Sequence, residues 1–241
     1  MTRKVLLIIL IGMMLSACTL TQTLSSLWQQ LNAQPTPVTI SNSLPDLVEN
    51  GQLSVVSARG DIGLGSLSGR TIELELYNIT SNPLEVFIPC SLAFIPAVDD
   101  TSRMVIVQSS TIVLEAKGTS TVKPFVLSVD PLQALPVPEK TYRIDQLEEG
   151  KLLQFSECLC KYDLPAETET RDLLSLQLAA WMVASDSAFT SLPEYVNKLL
   201  QDITGLPISI PGLEDSIQDL AASLAPNAQQ WLDKCDISLG E

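Results

Sequence analysis

The sequence predicts an α+β fold, an N-terminal antiparallel β-sandwich followed by a small α-helical region. Three observations predict it. From 44 to 142, short apolar or alternating runs are separated by turn residues, the spacing of a sandwich. The stretch 130–138 is punctuated by Pro131, Pro136 and Pro138 and reads as a connection. After Lys151 the apolar period lengthens to that of helices.

The strands are expected in this order. Leu53 to Ala58 comes first. Ile72, Leu74 and Leu76 then alternate with Glu73, Glu75 and Tyr77, the period of a half-buried strand. Ser81-Asn82-Pro83 makes a turn into 84–88. The runs 104–108, 111–115 and 121–129 follow, with Ser109-Ser110 and Lys117-Gly118 as turns. Short strands in this arrangement resemble bacterial immunoglobulin-like modules, without the Cys–Trp–Cys signature of antibody domains.

The helices follow from their stripes. Within 171–185, Leu174, Leu178 and Trp181 recur at helical spacing, and Leu173, Leu176 and Val183 fill other sides. A helix apolar on most sides should be buried. Leu192, Tyr195, Val196, Leu199, Leu200 and Ile203 share one face of a second helix. Ser191 with Glu194 forms a capping box, and Gly205 is a natural stop. Leu213, Ile217, Leu220 and Leu224 mark a third. Pro226 is expected to start a short fourth around Trp231.

The N-terminus reads as an export signal. Arg3 and Lys4 precede an uncharged apolar run over 5–15. That run is too short to span a membrane, which takes about 20 apolar residues. Leu15-Ser16-Ala17-Cys18 resembles the lipobox of bacterial lipoproteins. The resemblance implies cleavage before Cys18, a lipid on its thiol, and a chain held outside the cytoplasm on a bacterial membrane. The expected organisation is then a signal peptide over 1–17, a lipidated tether over 18–43 containing the stiff Gln34-Pro35-Thr36-Pro37, a sandwich over 44–142, and a mainly helical region over 143–241.

Charge narrows the partners. The chain carries 14 Lys and Arg against 28 Asp and Glu, a net charge of −14. Loss of Arg3 and Lys4 with the signal peptide makes it two charges more negative. Nucleic-acid binding rests on neutralising phosphates and is not expected. A basic partner or a cation suits this chain better. Histidine is absent, which excludes Ser-His-Asp and Cys-His pairs and every His-containing metal site.

Without Cys18, four cysteines remain: Cys90, Cys158, Cys160 and Cys235. In an exported chain an even count suggests disulfides, and four cysteines allow three connectivities. A direct Cys158–Cys160 bond would strain a small ring, so each is expected to reach Cys90 or Cys235. Such bonds would staple the helical region to the sandwich. A four-cysteine zinc site is the alternative, although its paired cysteines usually stand two to four residues apart; neither a metal nor another cofactor is expected.

Other motifs carry less. Gly63-Leu-Gly65-Ser-Leu-Ser-Gly69 lacks the closing Lys of a phosphate loop. Ser120-Thr-Val-Lys123 has the SxxK spacing of penicillin-recognising enzymes, but it enters a strand, where i and i+3 point opposite ways. Asp61, Asp99 and Asp100 are oxygen ligands of the kind calcium takes, but they read first as solvated turns. Glu148-Glu149-Gly150 reads as a surface turn, and Asn78-Ile79-Thr80 is a glycosylation sequon by pattern. Gln177-Leu-Ala-Ala-Trp181 resembles the Gln-x-Ala-x-Trp stretch of bacterial thioester domains, adhesion modules in which a Cys on an earlier strand joins the Gln. The corresponding strand here, 125–130, has no Cys.

Together these readings lead to an expected function. The chain is a non-enzymatic binding or assembly module of the cell envelope, with a protein or glycan partner. A carboxylate-dependent envelope enzyme and a thioester-type adhesin are the alternatives. A solute-binding lipoprotein would need two α/β lobes, and no βαβ alternation is present.

Overall fold

The computed structural model describes residues 42–61, 69–147, 150–165, 169–186, 191–204 and 213–240. Cys18, the leader and the tether up to residue 41 lie outside these, as do Gly63, Gly65, Glu148, Glu149 and Gly205, and the side chains of Leu199, Ile203 and Leu213. The described chain is α+β, with antiparallel sheets and five helices.

A short helix comes first, α1 (Leu44–Glu49). Ser43 caps it, its Oγ accepting from the Asp46 N–H, and Pro45 sits in the first turn, where no amide hydrogen is needed. Leu44 and Leu47 turn inward. The strands follow: β1 (Leu53–Gly60), β2 (Ile72–Asn78), β3 (Leu84–Ile88), β4 (Leu92–Pro96), β5 (Met104–Gln108), β6 (Ser110–Leu114), β7 (Thr119–Val122), β8 (Phe125–Ser128) and β9 (Tyr142–Gln146). They form sheets ordered β1-β2-β7, β3-β6 and β8-β5-β4-β9.

Two kinds of strand occur, for one physical reason. β2 buries Ile72, Leu74 and Leu76 and turns Glu73 and Glu75 outward, because only one of its faces meets the core. β5 buries Met104, Val105, Ile106 and Val107 on both faces. Met104 and Ile106 join Leu74, Leu76, Val86, Ile88, Leu92 and Phe94 in a core shared by all three sheets. Val107, with Phe125 and Leu127 of β8, faces the helices instead. A strand covered on both faces has no reason to alternate.

The helices are α2 (Lys151–Leu159), α3 (Thr170–Ser185), α4 (Leu192–Thr204) and α5 (Leu213–Lys234). α2 seats on β5: Ser156 Oγ donates to the Ile106 carbonyl at 2.9 Å. α3 is buried from Ser175 to Val183. It also seals the edge of β8. Gln177 Oε1 accepts from the Ser128 N–H at 3.1 Å, and Gln177 Nε2 donates to the Ser128 carbonyl at 2.7 Å. The side-chain amide thus substitutes for a neighbouring strand.

Two expectations are corrected. The run 121–129 is not one strand: it breaks at Lys123-Pro124 into β7 and β8, which belong to different sheets. Pro124 has no N–H for a ladder and marks the crossing. Nor does Pro226 separate two helices; it lies inside α5. The buried stripe Ile217, Ala221, Leu224, Ala228, Leu232 passes it unbroken. Pro226 and Ala222 are both exposed, so the carbonyl that loses its amide partner turns to water. Burial along α3 and α4 offsets a proline penalty of about 3 kcal/mol.

β1 and β9 touch at a single antiparallel bridge, Arg59 with Thr141, and Gly60 N–H donates to the Lys140 carbonyl at 2.9 Å. Gly60 admits no side chain: a Cβ there would lie 2.2 Å from the Val137 carbonyl oxygen. Gly60→Ala is expected to cost about 2–3 kcal/mol through overpacking against backbone. Urea unfolding checks this; an unchanged midpoint would mean that the 137–140 segment yields freely.

Candidate binding groove

Beyond the Arg59–Thr141 bridge, β1 and β9 part. β1 carries a register shift between Val55 and Ser57, and bulges bend a strand away from its neighbour. The result is a groove of about 720 Å³ bounded by α1, Val55 and the free edge of β9. Leu44, Val48, Val55, Leu92 and Ile144 give it apolar walls, and Asp46, Glu49 and Asp145 place carboxylates around it. A second depression of about 480 Å³ continues from Leu92 and Gln146 toward α2, past the Cys90–Cys160 disulfide.

The β9 edge is open by register. Thr141 accepts from Ala97 N–H at 2.9 Å, and Leu147 N–H donates to Ser91 at 3.1 Å, so the odd-numbered residues face β4. Main-chain groups alternate in an antiparallel ladder. Ile144 and Gln146 therefore turn theirs toward the groove, where no strand among the described residues pairs with them. The Gln146 N–H is held by Asp145 Oδ1 at 3.0 Å. Ile144 N–H, Ile144 C=O and Gln146 C=O remain.

An ion pair, Arg143 with Asp145, stands at the groove. The Arg143 guanidinium, 2.5 Å from Asp145, holds that carboxyl below its ordinary range, and the Gln146 N–H adds to the effect. Asp145 is thus a solvated anion, the opposite of the raised carboxyl that a general acid needs. Tyr142 is buried at the groove's base, its hydroxyl without a partner among the described residues; burial pushes the phenol above its usual range and keeps it neutral.

The four cysteines among the described residues are all engaged. Cys90, between β3 and β4, bonds Cys160 at the end of α2, with Cα atoms 6.2 Å apart. Cys158 bonds Cys235 beyond α5, with Cα atoms 5.5 Å apart. Two residues apart on a helix stand about 200° apart around its axis. The Cys158-Leu-Cys160 spacing therefore sends one sulfur toward the strands and the other toward α5. These disulfides point to an oxidising compartment outside the cytoplasm. No helix among the described residues is long and apolar enough to cross a membrane.

The remaining sequence candidates do not converge. Asp61 pairs with Lys123, and Asp100 pairs with Lys140 and accepts from Thr101 Oγ1. No group of ligands fit for a metal occurs among the described residues. Ser120 lies on β7, with Lys123 just past its end. Asn78 is fully buried: its Nδ2 donates to the carbonyls of Asn82, Leu114 and Glu115, which ties the β2–β3 turn to β6 and leaves no accessible sequon. Trp181 is buried, its Nε1 donating to Ser128 Oγ at 2.9 Å. Gln177 pairs with Ser128 main chain, and with both disulfides formed no thiol stands free among the described residues to join it.

Sequence reasoning missed the groove. Tyr142 and Ile144 do alternate with Arg143 and Asp145, which is the signal of β9. That signal says nothing of which edge stays open. Comparison with protein-family models, curated proteins and solved structures found no match to this chain.

Proposed function

We propose that this chain is a non-enzymatic binding module of the bacterial cell envelope, exported and tethered through a lipid on Cys18. In this reading the strands form an immunoglobulin-like sandwich, followed by a small helical region, and the groove beside β9 receives another protein or a glycan. One observation carries the proposal: an apolar-walled groove of about 720 Å³ along a strand edge with open main-chain groups. Sites of this size and lining commonly take ligands. The disulfides agree with an exported chain, and the residues up to Cys18 agree with a lipoprotein leader.

Two measurements test it. Intact mass of detergent-extracted protein should show loss of residues 1–17 and a lipid on Cys18; a free Cys18 or a retained Met1 removes the anchor. Cross-linking and co-purification from native membranes should yield one stoichiometric partner, lost when Val48 at the groove wall is replaced by tryptophan. Capture that survives Val48→Trp would move the binding site elsewhere.

A further inference from the structure

Resting on the binding role proposed above, we infer that the groove takes an extended polypeptide segment of a partner protein, added as a strand to β9, with apolar and cationic side chains in alternation.

The backbone argument comes first. Ile144 presents both main-chain groups and Gln146 its carbonyl toward the groove, and no strand among the described residues takes them up. A helix or a compact surface satisfies its own main chain and has nothing to offer these groups. An extended segment does, and strand addition is a general mode of peptide recognition. Asp145 already covers the neighbouring Gln146 N–H, a way of blunting an edge against indiscriminate pairing. The Arg59–Thr141 bridge occupies the start of this edge, so an added strand can begin only beyond it.

Side chains then follow. Successive residues of a strand point to opposite sides. One set would meet Val48, Val55 and Ile144. The other would meet the rim, where Asp46 and Glu49 stand on α1. Asp46 accepts from Ser43 Oγ at 2.6 Å. The rim's cation, Arg143, is bound to Asp145. The chain as a whole is at −14. Lysine or arginine in the incoming segment complements this rim, whereas a second copy of this chain would bring a strongly acidic surface.

The test uses the full chain in detergent and fluorescein-labelled, end-blocked heptapeptides followed by anisotropy. The probes are alternating Val and Lys, alternating Val and Glu, and the Val–Lys peptide with alternate amides N-methylated. The Val–Lys peptide should bind saturably, the Val–Glu peptide at least about tenfold more weakly, and the N-methylated one more weakly again, because electrostatic complementarity and main-chain pairing are both required. Ile144→Pro removes the outward N–H and leaves the β4 ladder intact, as edge prolines do. It should weaken binding at least about tenfold, more than Ile144→Ala, which keeps the N–H and reads the loss of side-chain packing alone. Glu49→Lys should weaken it several-fold, less so at high salt. Equal binding of the N-methylated peptide, or indifference to Ile144→Pro, overturns strand addition. Equal binding of the Val–Glu peptide overturns the charge assignment. Native partner capture that is lost in Val48→Trp but kept in Ile144→Pro retains the binding function and removes this inference; capture kept in both removes both.

Discussion

Replacing Trp181 with alanine is expected to lower stability by about 4 kcal/mol and the thermal midpoint by about 10 °C. Three effects act together. The indole is fully buried among Leu178, Met182, Leu192, Tyr195, Val196 and Leu224, so its removal opens a cavity between α3, α4 and α5. Its edge contact with Tyr195, at 6.0 Å between ring centroids, disappears. Its hydrogen bond to Ser128 Oγ disappears as well, and Ser128 then relies on Ser102 Oγ at 2.6 Å. Trp181→Phe separates these terms. It keeps most of the burial and loses the N–H, and is expected to cost about 1–2 kcal/mol. Denaturant unfolding of both variants gives the two numbers. Equal losses would mean that the hydrogen bond to β8, rather than the filled volume, dominates at this site. Losses within experimental error would mean that the three helices repack around the gap.

The second large effect lies in the disulfides. The Cys90–Cys160 bond spans 70 residues and Cys158–Cys235 spans 77. For loops of this length, chain entropy assigns each about 4 kcal/mol. The pair Cys158→Ser and Cys235→Ser is expected to lower the midpoint by about 10 °C. It should also expose the C-terminal turn of α5 to limited proteolysis. Cys235 is part of the core that α2, α3 and α5 share with Val107 and Leu127, so the double variant also leaves two polar hydroxyls in or beside apolar packing. The pair Cys90→Ser and Cys160→Ser should lower the midpoint by a similar amount but leave the α5 end protected, since that bond ties α2 to the strands. Proteolysis in the wrong region for each pair would show that the two bonds do not divide the work in this way. Peptide mapping under non-reducing conditions checks the pairing itself; cross-linked fragments joining Cys90 to Cys158 would overturn it.

Much of the fold was legible because local pattern and burial agreed. β2 shows alternation of apolar and acidic residues, and it has one buried face. The runs 84–88 and 104–108 coincide with β3 and β5. α3 was readable as a buried helix from apolar residues on several sides. Failures came where tertiary contact decided. Leu92–Pro96 is apolar without alternation, since β4 is covered on both faces, and so carries no period-two signal. Pro226 looked like a boundary because sequence alone cannot show that the carbonyl it deprives is exposed. The cysteine spacing excluded a direct Cys158–Cys160 bond. It did not choose between the two crossed pairings, since that choice depends on which side of α2 meets the strands.

The groove was the least legible feature. Val55 and Tyr142 are far apart in sequence and meet only because β1 and β9 join at one bridge. The opening depends on where that pairing stops. Gly60 at the bridge and the register shift after Val55 determine this, and each looks locally like an ordinary strand irregularity. The chain's acidic composition carries no position, whereas the structure sets Asp46, Glu49 and Asp145 around the groove.

The disulfide arrangement also governs how the molecule would respond to load. If the chain were pulled from its two ends, tension would run from Cys90 through sulfur to Cys160, back to Cys158, and through sulfur again to Cys235. Every strand from β4 to β9 and every helix from α3 to α5 would lie in covalent loops that carry none of it. Only the segments before Cys90 and after Cys235 could be drawn straight. Cutting either bond would release about 25 nm of slack at about 3.5 Å per residue. The protein would therefore give way in discrete, chemically gated lengths, with most of its structure shielded from the force.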